Sequence, residues 1–363
     1  MKKKCQRLLQ LKYFWPVNIF NYKTFGRRPS GKDLARIKQS PYYKKRGFIF
    51  MGTKPNVNIA SELIKEYAKS SQEARSPKIK IPVTHHLKKS FDELPSEKFK
   101  VMWLGHAGFI IELAGKRILV DPVLGNRPSP TQAFGPAKRF HAAPISVKEL
   151  PNIDYIIISH NHYDHLDYDF INAIKHRNIT YLLPLGLGAT LKYWGIKAKN
   201  IYEVNWHEQL QLDGLTFTAA DAKHYSGRFL NDRNASFWNS WIIEGNNEKL
   251  FISGDSGYID AYKNIGHQYG PFDLAAVAIG AYHRLWPENH KTPEEAWQAF
   301  KDLQAKKMLP VHWATFDLAL HPWAEPIERL VKVAAKESDK IYTPKIGEWL
   351  DLKRKIKCNK WWK

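Results

Sequence analysis

The chain has 363 residues, 44% of them hydrophobic and 13% aromatic, with 56 Lys and Arg against 35 Asp and Glu, and 2 Cys. That length and apolar content exclude a disordered chain and allow a large core in one big domain or two. The two cysteines, Cys5 and Cys358, sit near opposite ends, so no disulfide framework is implied, which fits a reducing compartment.

The net charge of +21 is unevenly spread. Residues 1–100 hold 24 basic and 7 acidic side chains, a balance of +17, and the other 263 residues carry only +4. The basicity therefore belongs to the N-terminal segment, which suits an anionic membrane surface, nucleic acid, or simple solvation. Met1-Lys2-Lys3-Lys4 looks like the start of a signal peptide, but Lys12 interrupts the apolar run, Pro16 breaks it, and no small-residue cleavage site follows. No run approaches the ~20 apolar residues of a transmembrane helix. Residues 8–20, rich in Leu and including Phe14, Trp15 and Phe20, can lie flat on a membrane between basic residues or pack against the body. Short helices are expected at 32–39 and 59–69, with Pro77, Pro82 and Pro95 punctuating the remainder. Residues 1–98 thus read as a basic extension and 99–363 as the folded domain.

From residue 99 the pattern changes. Apolar runs of strand length recur at 99–104, 108–113, 117–120, 155–158, 180–183, 215–219, 240–243, 249–252, 274–279 and 308–311. Helix-like stretches intervene at 168–176 and 293–304. The second opens with Thr292, Pro293 and Glu295, a capping box with proline at the first helical position. Many strands with interspersed helices predict sheets covered by helices, an α/β architecture.

The strand at 155–158 runs into Ser159-His160-Asn161-His162-Tyr163-Asp164-His165-Leu166. Four ligand-type side chains on so short a loop converge on one small volume. Imidazole with carboxylate suits Zn²⁺, with Fe or Mn as alternatives. Further ligand types follow later strands: His224 after 215–219, Asp255 after 249–252, and His312 after 308–311. Together they complete two coordination sets. His160, His162 and His224 would hold one ion, Asp164, His165 and His312 the other, and Asp255 would bridge them. Two ions roughly 3.5–4 Å apart lower the pKa of shared water and clamp the attacked oxygen, the chemistry of a hydrolase. Asp255 and Asp164 are then the catalytic carboxylates. Asp121, just after a strand, is placed to hold a ligand histidine by a hydrogen bond, and His106 to do similar work. His283 and His321 are further candidates for substrate contact.

The H-x-H-x-D-H motif followed by a distant His, Asp and His resembles the metallo-β-lactamase superfamily. Flanking motifs are more specific. Trp103-Leu104-Gly105-His106-Ala107, Asp121-Pro122, Ser129-Pro130-Thr131-Gln132, Gly254-Asp255-Ser256-Gly257-Tyr258, Ile279-Gly280-Ala281-Tyr282 and His312-Trp313-Ala314-Thr315-Phe316 are similar to N-acyl-phosphatidylethanolamine-hydrolysing phospholipases D. The likeness covers about 99 to 350. It implies an αββα sandwich of two mixed β-sheets flanked by helices, with a dinuclear zinc site at one rim held by the seven residues above. It also implies cleavage of a membrane phospholipid to N-acylethanolamine and phosphatidic acid, with Gln132 and His290 at the substrate entrance. Gly108, Ala133 and Asn289 depart from the family pattern.

The expected partners are a phospholipid substrate and, through the basic N-terminus, an anionic membrane surface. The expected location is cytoplasmic, peripheral on the inner face of a membrane, and a homodimer is compatible with the sequence. Nucleic acid is disfavoured because the body that carries the site is nearly neutral. The competing readings are a superfamily lactonase or nuclease acting on a soluble substrate, and a non-catalytic metal-binding scaffold.

Overall fold

The computed structural model describes residues 22–49, 61–62, 65–66, 68, 70, 72–92, 94–135, 138–352 and 359–363. Both cysteines, the apolar stretch 8–20 and much of the expected helix at 59–69 lie outside these residues. The N-terminal part begins with helix α1 (Gly31–Ile37) and the hairpin β1 (Tyr43–Lys44) and β2 (Gly47–Phe48). The body then follows as β3 (Lys100–Gly105), β4 (Gly108–Leu113), β5 (Lys116–Val120), β6 (Tyr155–Ile157), α2 (Tyr168–Ile174), β7 (Thr180–Pro184), α3 (Gly188–Trp194) and β8 (Ile201–Val204). Its second half is β9 (Gln209–Leu212), β10 (Leu215–Ala220), β11 (Ser240–Gly245), β12 (Glu248–Ile252), α4 (Ala261–Tyr269), β13 (Leu274–Ala278), α5 (Pro293–Asp302), β14 (Met308–Val311), α6 (Glu325–Ala334) and β15 (Trp349–Asp351).

Two large mixed sheets result. One has seven strands in the order β15-β3-β4-β5-β6-β7-β8, and the other six in the order β14-β13-β12-β11-β10-β9. Alternation along the strands explains the layering. Val101, Trp103, Phe109, Ile111, Ile118 and Val120 share one buried cluster with Phe217, Trp241, Ile243 and Phe251 of the other sheet. Met102, Leu104, Ile110, Leu119 and Ile156 point the opposite way, into a cluster with Phe170, Ile171 and Ile174 of α2 and Leu191 and Trp194 of α3. A strand buried on both faces must be apolar at every position, which is why these strands read as continuous runs. Ring packing of Tyr155 on Phe217 at 5.2 Å, and a hydrogen bond from Trp241 Nε1 to the Ile158 carbonyl at 3.1 Å, cross between the layers.

All ten expected strands are strands. The helix expected at 168–176 is α2 and that at 293–304 is α5, which starts with the complete Thr292–Glu295 capping box. The expected helix at 32–39 is α1. In the two large sheets the strands that the apolar pattern did not reveal are β8, β9 and β15, each at the edge of a sheet, and the two-residue strands β1 and β2 of the N-terminal hairpin went unrevealed too. An edge strand is half solvated, so Ile-Tyr-Glu-Val and Gln-Leu-Gln-Leu carry too little apolar signal to stand out.

Residues of the N-terminal segment also enter a core. Ile37 and Phe48 are buried with Leu185, Trp206, Phe237 and Trp238, and Phe48 stacks on Phe237 at 4.5 Å.

One buried ion pair ties β4 to β5. Arg117 donates to Glu112 Oε1 from Nε at 2.8 Å and from Nη2 at 2.6 Å, and both residues are at most 3% exposed. Removing one partner leaves a buried charge without compensation. Glu112→Ala should therefore lower unfolding free energy by about 3–5 kcal/mol in a denaturant titration; a change near zero would mean the pair is well solvated.

Candidate metal centre

Strand direction builds the site. β5, β6 and β7 are mutually parallel in one sheet, and β12, β13 and β14 in the other. β10 is antiparallel to β11, which is antiparallel to β12, so β10 shares the direction of β12. The carboxyl ends of these strands meet at one rim. Asp121 follows β5, the His160–His165 turn follows β6, His224 follows β10, Asp255 follows β12 and His312 follows β14. His106 sits in the turn between β3 and β4. His106, Asp121 and His312 hold φ of 51°, 38° and 65°. That left-handed backbone costs a side-chain-bearing residue on the order of 1–3 kcal/mol, and such strain collects at functional sites.

All seven expected ligands come together, in two groups. His160 Nε2 lies 2.8 Å from His162 Nδ1, and His224 Nε2 lies 3.2 Å from the same nitrogen. In the second group, Asp164 Oδ2 lies 3.3 Å from His312 Nε2 and 3.6 Å from His165 Nε2. Asp255 stands between them. Its Oδ2 is 3.9 Å from His160 Nε2, 3.7 Å from His224 Nε2 and 3.2 Å from His165 Nε2, and its Oδ1 is 3.1 Å from His312 Nε2.

The donor set fits metal ions. Within each group of possible ligands the donor atoms lie within 4.8 Å of one another. His165 Nε2, His312 Nε2 and Asp255 Oδ1 are buried with no hydrogen-bond partner among the described residues. Burying unpartnered polar atoms is costly, and a cation shared by them supplies the missing interaction. The outer nitrogens are already committed. His165 Nδ1 lies 2.7 Å from Asp121 Oδ2, and His160 Nδ1 lies 3.0 Å from Ser159 Oγ. His224 Nδ1 donates to the Asn289 carbonyl at 3.0 Å. Each contact turns Nε2 of its ring inward. Asp121 is itself held by the Ser159 amide at 2.7 Å and the Ser159 hydroxyl at 2.5 Å.

The remaining candidates are dispersed around this cluster. His106 Nε2 lies 3.0 Å from Asp164 Oδ2, close enough to His165 and His312 to count as a fourth donor of that group. His290 Nδ1 is 3.9 Å from Asp255 Oδ2 and forms a group with His224 and Asp255. His321 uses both nitrogens, accepting from the Ala281 amide at 3.1 Å and donating to the Pro322 carbonyl at 3.0 Å, and it lines a cavity beside His106 and His312. His283 packs on Trp286 at 4.7 Å. Gln132 folds back on its own loop: its Oε1 accepts from the Arg127 amide at 2.9 Å and its Nε2 donates to the Arg127 carbonyl at 3.0 Å.

Ser159 and Thr315 escaped the sequence reading. Ser159 joins Asp121, His160 and His165, and the Thr315 hydroxyl accepts from the His106 amide at 2.7 Å. Ser159 immediately precedes the motif and was legible as an adjacent hydroxyl. The carbonyl of Asn289 has no sequence signal.

Electrostatics follow from burial and proximity. Burial pushes His160 and His224 well below the ordinary 6.5, and His162 down to about 4. Burial also opposes charge on His165 and His312, but the carboxylates win. Asp255, Asp164 and Asp121 hold His165 well above its usual value, and Asp255 and Asp164 raise His312 to about 9. Burial disfavours the charge of Asp164 and Asp255 too, yet His165 foremost, with His312, keeps both carboxyls well below the usual range.

A profile described as the Beta-lactamase superfamily domain matches residues 116–313. An uncharacterised protein of Mycobacterium tuberculosis is 37% identical over 344 residues, covering 92% of this chain and 91% of its own. The N-acyl-phosphatidylethanolamine-hydrolyzing phospholipase D 1 of Caenorhabditis elegans is 36% identical over 250 residues, 65% of this chain and 70% of that one. Among solved structures, a metallo hydrolase from Ignicoccus hospitalis superposes with a TM-score of 0.55 at 22% identity, over 69% of this chain and 97% of that one.

Protons and cations compete for the same nitrogens. His165 and His312 are raised in the metal-free protein, so their protons are still bound at neutral pH and must leave when a cation enters. Zinc affinity of chelator-stripped protein should rise with pH through neutrality and go on rising at least to about 9, the value for His312. Uptake at pH 7 should release protons into a weakly buffered solution. An affinity that stays flat from pH 6 to 9 would show that these histidines are not the ligands.

Proposed function

The chain belongs to the metallo-β-lactamase superfamily of metal-dependent hydrolases, and from that premise we propose that it is a dizinc phosphodiesterase of the phospholipase D type, cleaving N-acyl-phosphatidylethanolamine-like phospholipids to N-acylethanolamine and phosphatidic acid. The observation that carries this reading is the position of Asp255. One carboxylate lies within 3.9 Å of nitrogens from both histidine groups, so two adjacent cations could share it.

His160, His162 and His224 would hold one ion, and Asp164, His165 and His312 the other. Two bound ions would supply Lewis acidity, a water of lowered pKa and neutralisation of charge on the phosphoryl oxygens. The chain does the rest. Asp255 orients the attacking water and takes its proton. Asp121 and Ser159 hold the imidazoles in the tautomers that face the centre. His290, beside Asp255 and His224, is placed to donate to a phosphoryl oxygen.

The phospholipid substrate is favoured by the motifs around the site and by the likeness to the nematode phospholipase D. A nearly neutral body argues against a nuclease. Among the described residues no helix is long and apolar enough to cross a membrane. The basic N-terminal segment would instead bring the enzyme to an anionic bilayer, at about 1 kcal/mol for each Lys or Arg close to the surface.

Elemental analysis of zinc-reconstituted protein should give close to two ions per chain. Asp255→Asn should cut turnover about a hundredfold or more while removing less than half of the metal, because its part is bridging and orientation. Bis(p-nitrophenyl) phosphate should be hydrolysed slowly and N-acyl-phosphatidylethanolamine in micelles faster, with N-acylethanolamine and phosphatidic acid as products. Turnover of lactones with neither phosphodiester touched would make the lactonase reading the right one. The full chain should sediment with anionic vesicles, weakly with neutral ones, and detach as salt shortens the screening length below roughly 8–10 Å. Absence of vesicle binding at low salt would remove the membrane from the reading.

A further inference from the structure

Arg228 is an arginine that no metal role explains, yet it is 6% exposed and lies against the motif that carries four ligands. Its Nη1 donates to the Asn161 carbonyl and the Leu166 carbonyl, each at 2.8 Å. Those two carbonyls bracket His162, Tyr163, Asp164 and His165. Its Nε donates to the Thr24 carbonyl at 2.7 Å, and its guanidinium lies 3.9 Å from the centre of the Tyr163 ring.

The contact is reciprocal. Tyr163 Oη donates to the Arg228 carbonyl at 2.8 Å, and the Gly227 amide donates to Asn161 Oδ1 at 2.7 Å. Asp232 accepts the Arg228 amide on both oxygens at 3.0 Å, which fixes the backbone from which the guanidinium springs. Burial lowers Arg228 only to about 10, so it stays charged at neutral pH. Nη1 serves both turn carbonyls while Nε, offset in the same rigid plane, reaches Thr24; an ammonium has three donors but all on one nitrogen.

The Thr24 contact brings in the N-terminal segment. Trp194 Nε1 donates to the Lys23 carbonyl at 2.6 Å, and the Arg27 amide donates to Thr190 Oγ1 at 3.1 Å. Phe25 packs on Phe229 at 4.6 Å, and Arg28 donates to the Asn231 carbonyl at 2.7 Å. Residues 23–28 therefore rest on α3 and on the 227–232 loop, and Arg228 joins all three to the ligand turn.

We propose that Arg228 is a positioning residue for the metal centre: it sets the curvature of the 161–166 turn, hence the directions of His162, Asp164 and His165, and couples that turn to residues 23–28. The inference rests on the metal-centre reading above, and the experiment separates the two. In the full chain, Arg228→Ala should bind zinc about tenfold or more weakly by chelator competition, as loss of partners that orient ligands does. The visible spectrum of its cobalt-substituted form should shift. On bis(p-nitrophenyl) phosphate its kcat should fall about tenfold or more with KM changed less than about threefold, and millimolar methylguanidine should restore part of the zinc affinity. Arg228→Lys, which keeps the charge but loses the fork, should lie between wild type and Arg228→Ala. A folded Arg228→Ala protein with wild-type zinc affinity and an unshifted cobalt spectrum overturns the proposal. If Arg228→Ala does not melt cooperatively, Arg228→Lys decides on the same readouts, and wild-type values there overturn it equally. A wild-type chain that takes up neither zinc nor cobalt sinks the metal reading, and this inference with it.

Discussion

Two carboxylates and at least five imidazoles are held in a buried space where their polar atoms lie about 3–4 Å apart. Burial strips each group of water, and neighbouring imidazoles disfavour one another's charge, so the arrangement does not persist on its own account. It persists because the surrounding fold over-determines it. Asp121 and Ser159 grip the outer nitrogens, the backbone at His106 and His312 is held in the left-handed region, and the Asn289 carbonyl fixes His224. The carboxylates raise His165 and His312 above the ordinary histidine range, and the imidazoles hold Asp164 and Asp255 below the ordinary carboxyl range. A cation shared among them would satisfy the atoms left without partners.

The sandwich is what makes so costly a cluster affordable. Each sheet contributes parallel strands whose carboxyl ends open on the same rim, and the interior between the sheets is an apolar core in which Tyr155 meets Phe217 and Trp241 reaches the Ile158 carbonyl. The expected ligands come from both sheets: those of the His160–His165 turn, backed by Asp121, from one, and His224, Asp255 and His312 from the other. Neither sheet could assemble either half of the reading alone, since the first group needs His224 and the second needs His312. The cluster is therefore a property of the packed pair, and a fault that shifts one sheet against the other should reach it before it reaches the core.

Much of this was legible in the sequence, for definite reasons. The central strands are buried on both faces, so they appear as unbroken apolar runs, and the ligands stand directly after them. The H-x-H-x-D-H spacing compresses four donors into one turn, which few other constraints would produce. What escaped detection has an equally physical cause. Strands β8, β9 and β15 sit at sheet edges, where half of each strand meets solvent and the pattern fades into that of a loop. Helix α4 (Ala261–Tyr269) went unread because its apolar face is narrow, with Tyr262 and Ile265 as the large side chains buried. Thr315 acts through a single hydroxyl and the Asn289 carbonyl through backbone alone, so composition and spacing are silent about them, while Ser159 offered only its place next to the motif.

The basic segment before residue 99 is the part where composition misdirects most easily. Its charge invites a picture of a tail that serves only to find a surface. Yet Ile37 and Phe48 are buried against Leu185 and Phe237, and the Thr24 carbonyl receives the same guanidinium that braces the ligand turn. Among the described residues of this stretch, Ile37 and Phe48 dock on the body, and Arg75 is itself buried against Asp317. A segment built this way can meet an anionic surface and be continuous with the catalytic scaffold at once. Its contact with Arg228 passes through the Thr24 backbone carbonyl, so it is visible only once the chain is folded.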